Sequence, residues 1–450
     1  MAKVEAAPVA APDAGALAAH ARARRAIEAA IRGLPVVALD ALARAFGRDA
    51  GGASNQVLLW SRPGDWRNQT PFPDPETLDL ATFLDTREAG PVLLEIPPAD
   101  DGPLAGVIVD GRWRTLAAIG RRGLDRGEGA RVLVLPPGYQ GDVPDDCVVL
   151  PSTSGRGALL LRTLPRGATE ADRVRAASHL KRLRLFPLAA AGRPPAQRFV
   201  EAADLVVDAR PPWGLQLFES LAGALQSDPW PPHERAIEEL LASVGIVRGR
   251  TFEPDASTAD LLADAAAEAR AWLRAVDEAA WPPCWPGRRW GARDEAGMAR
   301  DDVTLAVTPA DRDAAAALRA VAWRLDDDTP CLVATRDRRG DPLDGERAYR
   351  LHLPAHIPAA DGWAVTAYDA VTHTLLRDVP HAGRSSRTQG TAPGTDATVD
   401  LFFGPAPPAG KEAAWIPTRP GIRWEAVLRL RGPAPGWRAA NWTPGDLEPR

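Results

Sequence analysis

The stretch Arg423-Trp424-Glu425-Ala426-Val427-Leu428-Arg429-Leu430-Arg431 decides the fold. Trp424, Ala426, Leu428 and Leu430 fall on one side of an extended chain, with Arg423, Glu425, Arg429 and Arg431 on the other. A period of two belongs to a strand, because successive side chains leave a pleated backbone on opposite faces. One apolar and one charged face predict a half-buried antiparallel strand. The pattern recurs nearby. Tyr349, Leu351 and Leu353 oppose Arg350 and His352, while Trp363, Val365 and Ala367 form a third apolar face and Val399, Leu401 and Phe403 a fourth.

Upstream the period changes. Ile27, Ile31, Leu34, Ala38, Leu42 and Phe46 recur at helical steps, which predicts a helix over 21–46 with a kink or break where Pro35 removes a backbone donor. Short apolar runs follow at 92–96, 104–109, 113–119, 132–135, 148–150 and 159–161, each bounded by Pro, Gly or Asp. Such spacing reads as a sandwich or barrel. A helix near 169–184 closes that region. The middle is helical: Phe218, Leu221 and Leu225 mark one helix, and Ile237, Leu240, Leu241 and Val244 a second. Ser257 reads as the cap of a third, which buries Leu261, Ala265, Ala269, Trp272 and Val276.

Composition narrows the function. The 450 residues are 45% hydrophobic and 25% charged, ordinary for a globular chain with room for more than one core. A formal charge of −5 gives no reason to expect nucleic acid, which needs a concentrated basic surface. No apolar run approaches the roughly 18 residues that span a bilayer, so no membrane partner is expected. Three scattered cysteines, Cys147, Cys284 and Cys331, suit a reducing, cytoplasmic setting. The 15 tryptophans are expected to seal seams between domains, with a sugar-binding platform as the sharper alternative.

The chain resembles a bacterial family known only as paired domains of unknown function, twelve-fifty-four at the N terminus and twelve-fourteen at the C terminus. The C-terminal residues that carry the resemblance are Asp341-Pro342-Leu343-Asp344-Gly345, Trp363 to Asp369, Ser386-Arg387, Lys411-Glu412-x-x-Trp415-x-Pro417 and Leu430-Arg431-Gly432-Pro433. The N-terminal ones are Gly33-Leu34-Pro35, Thr77-Leu78 and Val132 to Tyr139. The resemblance implies two jelly-roll-like domains with helices packed between them, and no settled activity. Two positions depart from it. Asp79 stands where the family has a tyrosine, and Ala414 where it has an asparagine.

The expected fold class is therefore mainly β with α (α+β): two jelly-roll-like β-sandwich domains with a helical segment between them. The expected divisions are a flexible leader over 1–18, a helix and first β domain over 19–190, a helical connection over 191–330 and a second β domain over 331–450.

Chemistry is less legible. His352 and His356 would share a strand face, but Pro354 and Pro358 end that strand, so no metal site is expected. Ser152-Thr153-Ser154-Gly155 lacks the setting of a nucleophile elbow and reads as a turn. Cys284 reads as a small packed residue. Asp326-Asp327-Asp328 lacks calcium-loop spacing and reads as a solvated turn. Glu95 interrupts the apolar run Val92-Leu93-Leu94-Glu95-Ile96; facing a cavity it would be a general acid or base, facing outward a solvated strand residue. Arg387 is the second candidate catalytic residue. Lys411, Glu412 and Trp415 are candidate ligand-binding residues, with a turn and a core anchor as their structural alternative. No cofactor is expected.

The reading is a cytoplasmic, cofactor-independent enzyme or carrier acting on a small organic molecule, in a pocket at a β-domain mouth or at the seam between domains. The alternatives are a structural or assembly protein, with a homo-oligomer as its form, and a carbohydrate-binding protein.

Overall fold

The structure, a computed structural model, describes residues 13–228, 230–231, 234–292, 307–325, 329–388, 398–438 and 442–450. Leader residues 1–12 and the Asp326–Asp328 run lie outside the described residues, whereas 14–18, expected in the leader, are already helical.

Helix α1 (Ala14–Ala50) starts where Asp13 accepts from the amides of Gly15 and Ala16, and it ends at Gly51 in the left-handed region. It runs through Pro35 without the expected break. An interior proline costs an isolated helix about 3 kcal/mol. Burial on both sides of Pro35 offsets this: Ile31, Leu34 and Val37 join a helical core, and Leu39, Leu42 and Phe46 lie on a sheet. Short α2 (Thr86–Ala89) and α3 (Glu170–Leu180) belong to the first β region. Helices α4 (Leu215–Ser227), α5 (Arg235–Ser243), α6 (Ala256–Ala279) and α7 (Pro309–Leu325) share the helical core with α1. The cap of α6 is Asp255, which accepts from the Thr258 amide at 2.7 Å, and not Ser257.

The first β region has two larger sheets, beside a short pairing of Asn68–Gln69 with Val207–Asp208. One runs Phe199–Glu201, Val57–Trp60, Leu78–Asp85, Arg156–Thr163, Leu104–Asp110, Thr115–Ile119; the other runs Arg184–Pro187, Val92–Ile96, Ala130–Leu135, Val148–Pro151. Leu80, Leu159 and Ile108 of the first meet Val92, Leu94 and Val132 of the second in a dry core. The far face of the larger sheet is also covered, because Leu58, Phe83 and Leu160 pack on α1.

The second β region also has two sheets. Trp424–Pro433 lies between Cys331–Ala334 and Ala359–Asp369, with Gly383–Ser385 at the edge; opposite stand Trp415–Pro417, Val399–Gly404, Tyr349–Leu353 and Glu448–Pro449. All four apolar faces read from the sequence meet in one core with Trp363, Trp424 and Trp290. The tryptophans thus anchor this core more than the seam, where Trp281 alone joins the apolar cluster among the described residues. The architecture is the mixed α+β arrangement expected. No described helix is long and apolar enough to cross a membrane.

A further expectation fails. The strand Trp424–Pro433 is not half-buried: every residue from Trp424 to Arg431 is buried. The reason is the neighbour on its charged face. Val427 there packs with Phe72 of the first β region and Trp281 of the helical layer, so Glu425, Arg429 and Arg431 face protein instead of water.

Candidate functional site

The seam is built by the loop between Asn68–Gln69 and Leu78–Asp85, which crosses from the first β region to the second. Phe72, held at a φ of 56°, lies flat on Tyr368 with ring centres 4.5 Å apart. Its amide donates to the His373 carbonyl at 2.7 Å. The Tyr368 hydroxyl donates to the Pro73 carbonyl at 2.6 Å and accepts from Arg429 at 2.8 Å. A left-handed conformation is costly for a bulky residue, so the surrounding contacts must hold it.

Asp74 and Glu76 follow. Arg431 Nη2 donates to Asp74 at 2.7 Å and to Glu76 at 3.3 Å, and Arg429 Nε stands 3.5 Å from Asp74. The Ser385 hydroxyl donates to the other oxygen of Glu76. The two carboxyls respond differently. Burial pushes Asp74 up, but Arg431, Arg429 and Arg162 outweigh it and hold the group well below the usual carboxylate range. Burial also pushes Glu76 up, and there it prevails over Arg431, helped by the neighbouring Asp74 charge. Asp79, at the position where a tyrosine was expected, forms an ion pair with the buried Arg162 at 2.9 Å and accepts from Thr77 at 2.8 Å.

A second charged knot ties the helices to the same strand. Arg319 of α7 donates to both oxygens of Asp277 (2.8 and 2.7 Å) and both of Glu425 (2.9 and 2.7 Å). His373, also at positive φ, lies 3.0 Å from Glu425. Burial raises Glu425, yet Arg319 and His373 bring it down to about 2. All four groups are buried, and each carboxylate has a charged partner, as burial of charge requires.

Beside the first knot opens a cleft of about 1,100 Å³ between the two β regions. Exposed Arg121, Arg122 and Arg126 stand at its rim and buried Arg162 and Arg431 at its floor, against one acidic lining residue, Asp361. The rim turn is firmly built. Buried Asp125 accepts from the Gly120 amide at 2.6 Å, and the Gly123 amide donates to the Gly120 carbonyl at 2.7 Å. A Cβ on Gly123 would lie 2.5 Å from the Ala118 carbonyl oxygen, so the turn needs glycine there. Trp437, Pro433 and Pro435 line the cleft from the second β region.

The residues singled out from sequence are dispersed. Glu95 shares the face of Leu93, away from the inner core, 3.5 Å from Arg131 on one neighbouring strand and 3.5 Å from Arg184 on the other. Arg387 donates to the Pro165 carbonyl at 2.6 Å and lies within electrostatic reach of Glu76. It shares no partner with Glu95 among the described residues. Lys411 and Glu412 are exposed in a turn, where Glu412 accepts from the Gly410 amide. Trp415 is half-buried; its indole donates to the Gly404 carbonyl at 2.9 Å, and its ring meets that of His381 at 5.6 Å. Burial, with Arg384 adding to it, lowers His381 to about 4. His352 pairs with Asp400 at 2.8 Å on a strand that ends at Leu353. Ser152 and Ser154 spend their hydroxyls on carbonyls of their own turn, and burial raises the Cys284 thiol.

Sequence reasoning weighed Glu76 as one of a carboxylate cluster with Asp79, Asp85 and Glu95, but missed Asp74, Arg319 and the rim arginines. Only the last left a local signal, the glycine-spaced run Arg121-Arg122-Gly123-Leu124-Asp125-Arg126-Gly127.

Comparisons with known proteins agree with this architecture. Residues 54–185 match the family model "Protein of unknown function (DUF1254)", and residues 329–435 match "Protein of unknown function (DUF1214)". No curated protein matches the chain. The crystal structure of the VPA0106 protein from Vibrio parahaemolyticus is similar in fold, with a TM-score of 0.56 and 17% identity over 95% of this chain and 100% of that one. An uncharacterized protein from Burkholderia cenocepacia gives a TM-score of 0.42 and 13% identity, over 96% of this chain and 94% of that one. With both domains present in that order, the chain belongs to the family that pairs DUF1254 with DUF1214, two domains of unknown function.

Proposed function

We propose that the protein is a cytoplasmic, cofactor-independent enzyme or carrier that takes a small organic molecule into the cleft at the seam. The observation that carries this reading is the cleft itself. Its volume of about 1,100 Å³ suits a molecule of a few hundred daltons, and both β regions line it. A site between two units held by buried ion pairs keeps its shape, which lowers the ordering cost of binding. In this reading Arg387 acts from the Glu76 side of the seam, and Glu95, braced between two arginines elsewhere, takes no part. Three cysteines scattered along the sequence suit the cytoplasmic setting.

Native mass spectrometry of the full chain, purified from its own host, tests the reading. A bound mass of a few hundred daltons is expected, and Ala434→Trp, which puts a large ring into the cleft lining, should abolish it. A bound mass that Ala434→Trp leaves in place would place the ligand elsewhere. A chain that carries nothing and gains no thermal stability from any small molecule in a metabolite library would overturn the proposal.

A further inference from the structure

The cleft has two unlike sides. On one, Arg121 and Arg126 stand exposed at the rim, and neither makes an ion pair with a described residue. The arginines at the floor differ: Arg431 is matched by Asp74 and Glu76, and Arg162 by Asp79. Positive charge open to a ligand is therefore concentrated at the rim. The other side is largely apolar, with Asp361 as its one acidic residue. Trp437, Pro433 and Pro435 face it from the second β region, with Leu104 and Ile119 from the first.

We infer that the cleft takes an amphipathic anion: a carboxylate, sulfonate or phosphate head at Arg121 and Arg126, and an aromatic or aliphatic body along Trp437 and the prolines. This rests on the seam cleft being the binding site. Guanidinium groups pair with such heads through charge-assisted, bidentate hydrogen bonds. The braced rim turn fixes the backbone of the two arginines before the ligand arrives, so that only their side chains remain to be ordered on binding. The volume leaves room for a body well beyond the head group itself. A neutral molecule of the same shape would gain the apolar contact and forgo the charge.

Two fluorophores with one skeleton test this on the full chain: 8-anilinonaphthalene-1-sulfonate, which is anionic, and N-phenyl-1-naphthylamine, which lacks the sulfonate. The anion is expected to bind about tenfold or more tightly than the neutral probe, and R121E/R126E is expected to remove that margin. Added salt should weaken the anion alone. Both rim residues are exposed, so the double variant keeps the fold; Ala434→Trp serves as a second, charge-neutral block. Equal binding of the two probes, lost in Ala434→Trp but untouched by R121E/R126E, would overturn the anion inference and leave the cleft reading standing. Binding that Ala434→Trp does not affect, or no binding of either probe, would overturn both.

Discussion

Arg431 and Asp74 meet at 2.7 Å although 357 residues separate them in the chain. Their contact joins the second β region to the loop of the first, in a place closed to water. Asp74→Ala takes from Arg429 its carboxylate partner and leaves Arg431 to Glu76 at 3.3 Å. Removing one member of a buried pair typically costs about 3–5 kcal/mol. Urea unfolding should show a loss of that size.

Stability should depend on acid in a direction set by these carboxyls. Glu425 is depressed to about 2 and Asp74 is depressed too, so each contributes stability above its unfolded value near 4. That contribution is lost as pH falls from about 5 toward 2. Glu76 has the opposite sign, being raised: its contribution is present at low pH and lost as pH rises through its folded value. Glu76→Gln should therefore compare best with the parent chain at pH 7, and that advantage should shrink as pH falls through the raised folded value and be gone below about pH 4. Chemical denaturation across the range checks both limbs.

Arg319 and Glu95 offer a contrast between buried and half-exposed pairs. Arg319→Ala leaves the buried Asp277 and Glu425 with only His373 beside them and should cost about 3–5 kcal/mol. Glu95→Gln, with its side chain 30% exposed between two arginines, should cost less than about 1 kcal/mol. Equal losses on denaturation would mean that the Arg319 knot is solvated.

Gly33 and Leu221 should be coupled. A Cβ on Gly33 would lie 2.4 Å from a Leu221 methyl. Gly33→Ala should thus cost about 1–3 kcal/mol by overpacking, in spite of alanine's better helix propensity. In Leu221→Ala the crowding is gone, and the same change should become neutral or stabilising. A double-mutant cycle with no coupling would contradict the packing.

The cores were legible in the sequence because apolar alternation is a local signal. Tyr349, Leu351 and Leu353, like Val399, Leu401 and Phe403, are buried as their period predicts. The seam was not legible, since Glu425, Arg429 and Arg431 have the pattern of a wet face. What makes them buried is Phe72 and Asp74, far away in the chain, and Arg319 on a helix the sequence reading did not mark. Pro35 misled for the same reason: its local cost is real, and tertiary burial of α1 overrides it. Arg387 and the Lys411–Trp415 turn lie on the second β region alone, so no local pattern ties them to the rim turn at Arg121.

The strand Trp424–Pro433 also has a consequence for how the chain is made. It is synthesised after the strands it joins, yet it supplies their central partner. On the ribosome, the loop bearing Asp74 must wait for 357 residues more before Arg431 exists. Until then an aromatic ring and a carboxylate destined for a dry seam stay open to solvent and to wrong partners. Such delayed closure is where a nascent protein is most prone to aggregate. A chain truncated before Trp424 should for that reason engage chaperones more than the 450-residue chain does.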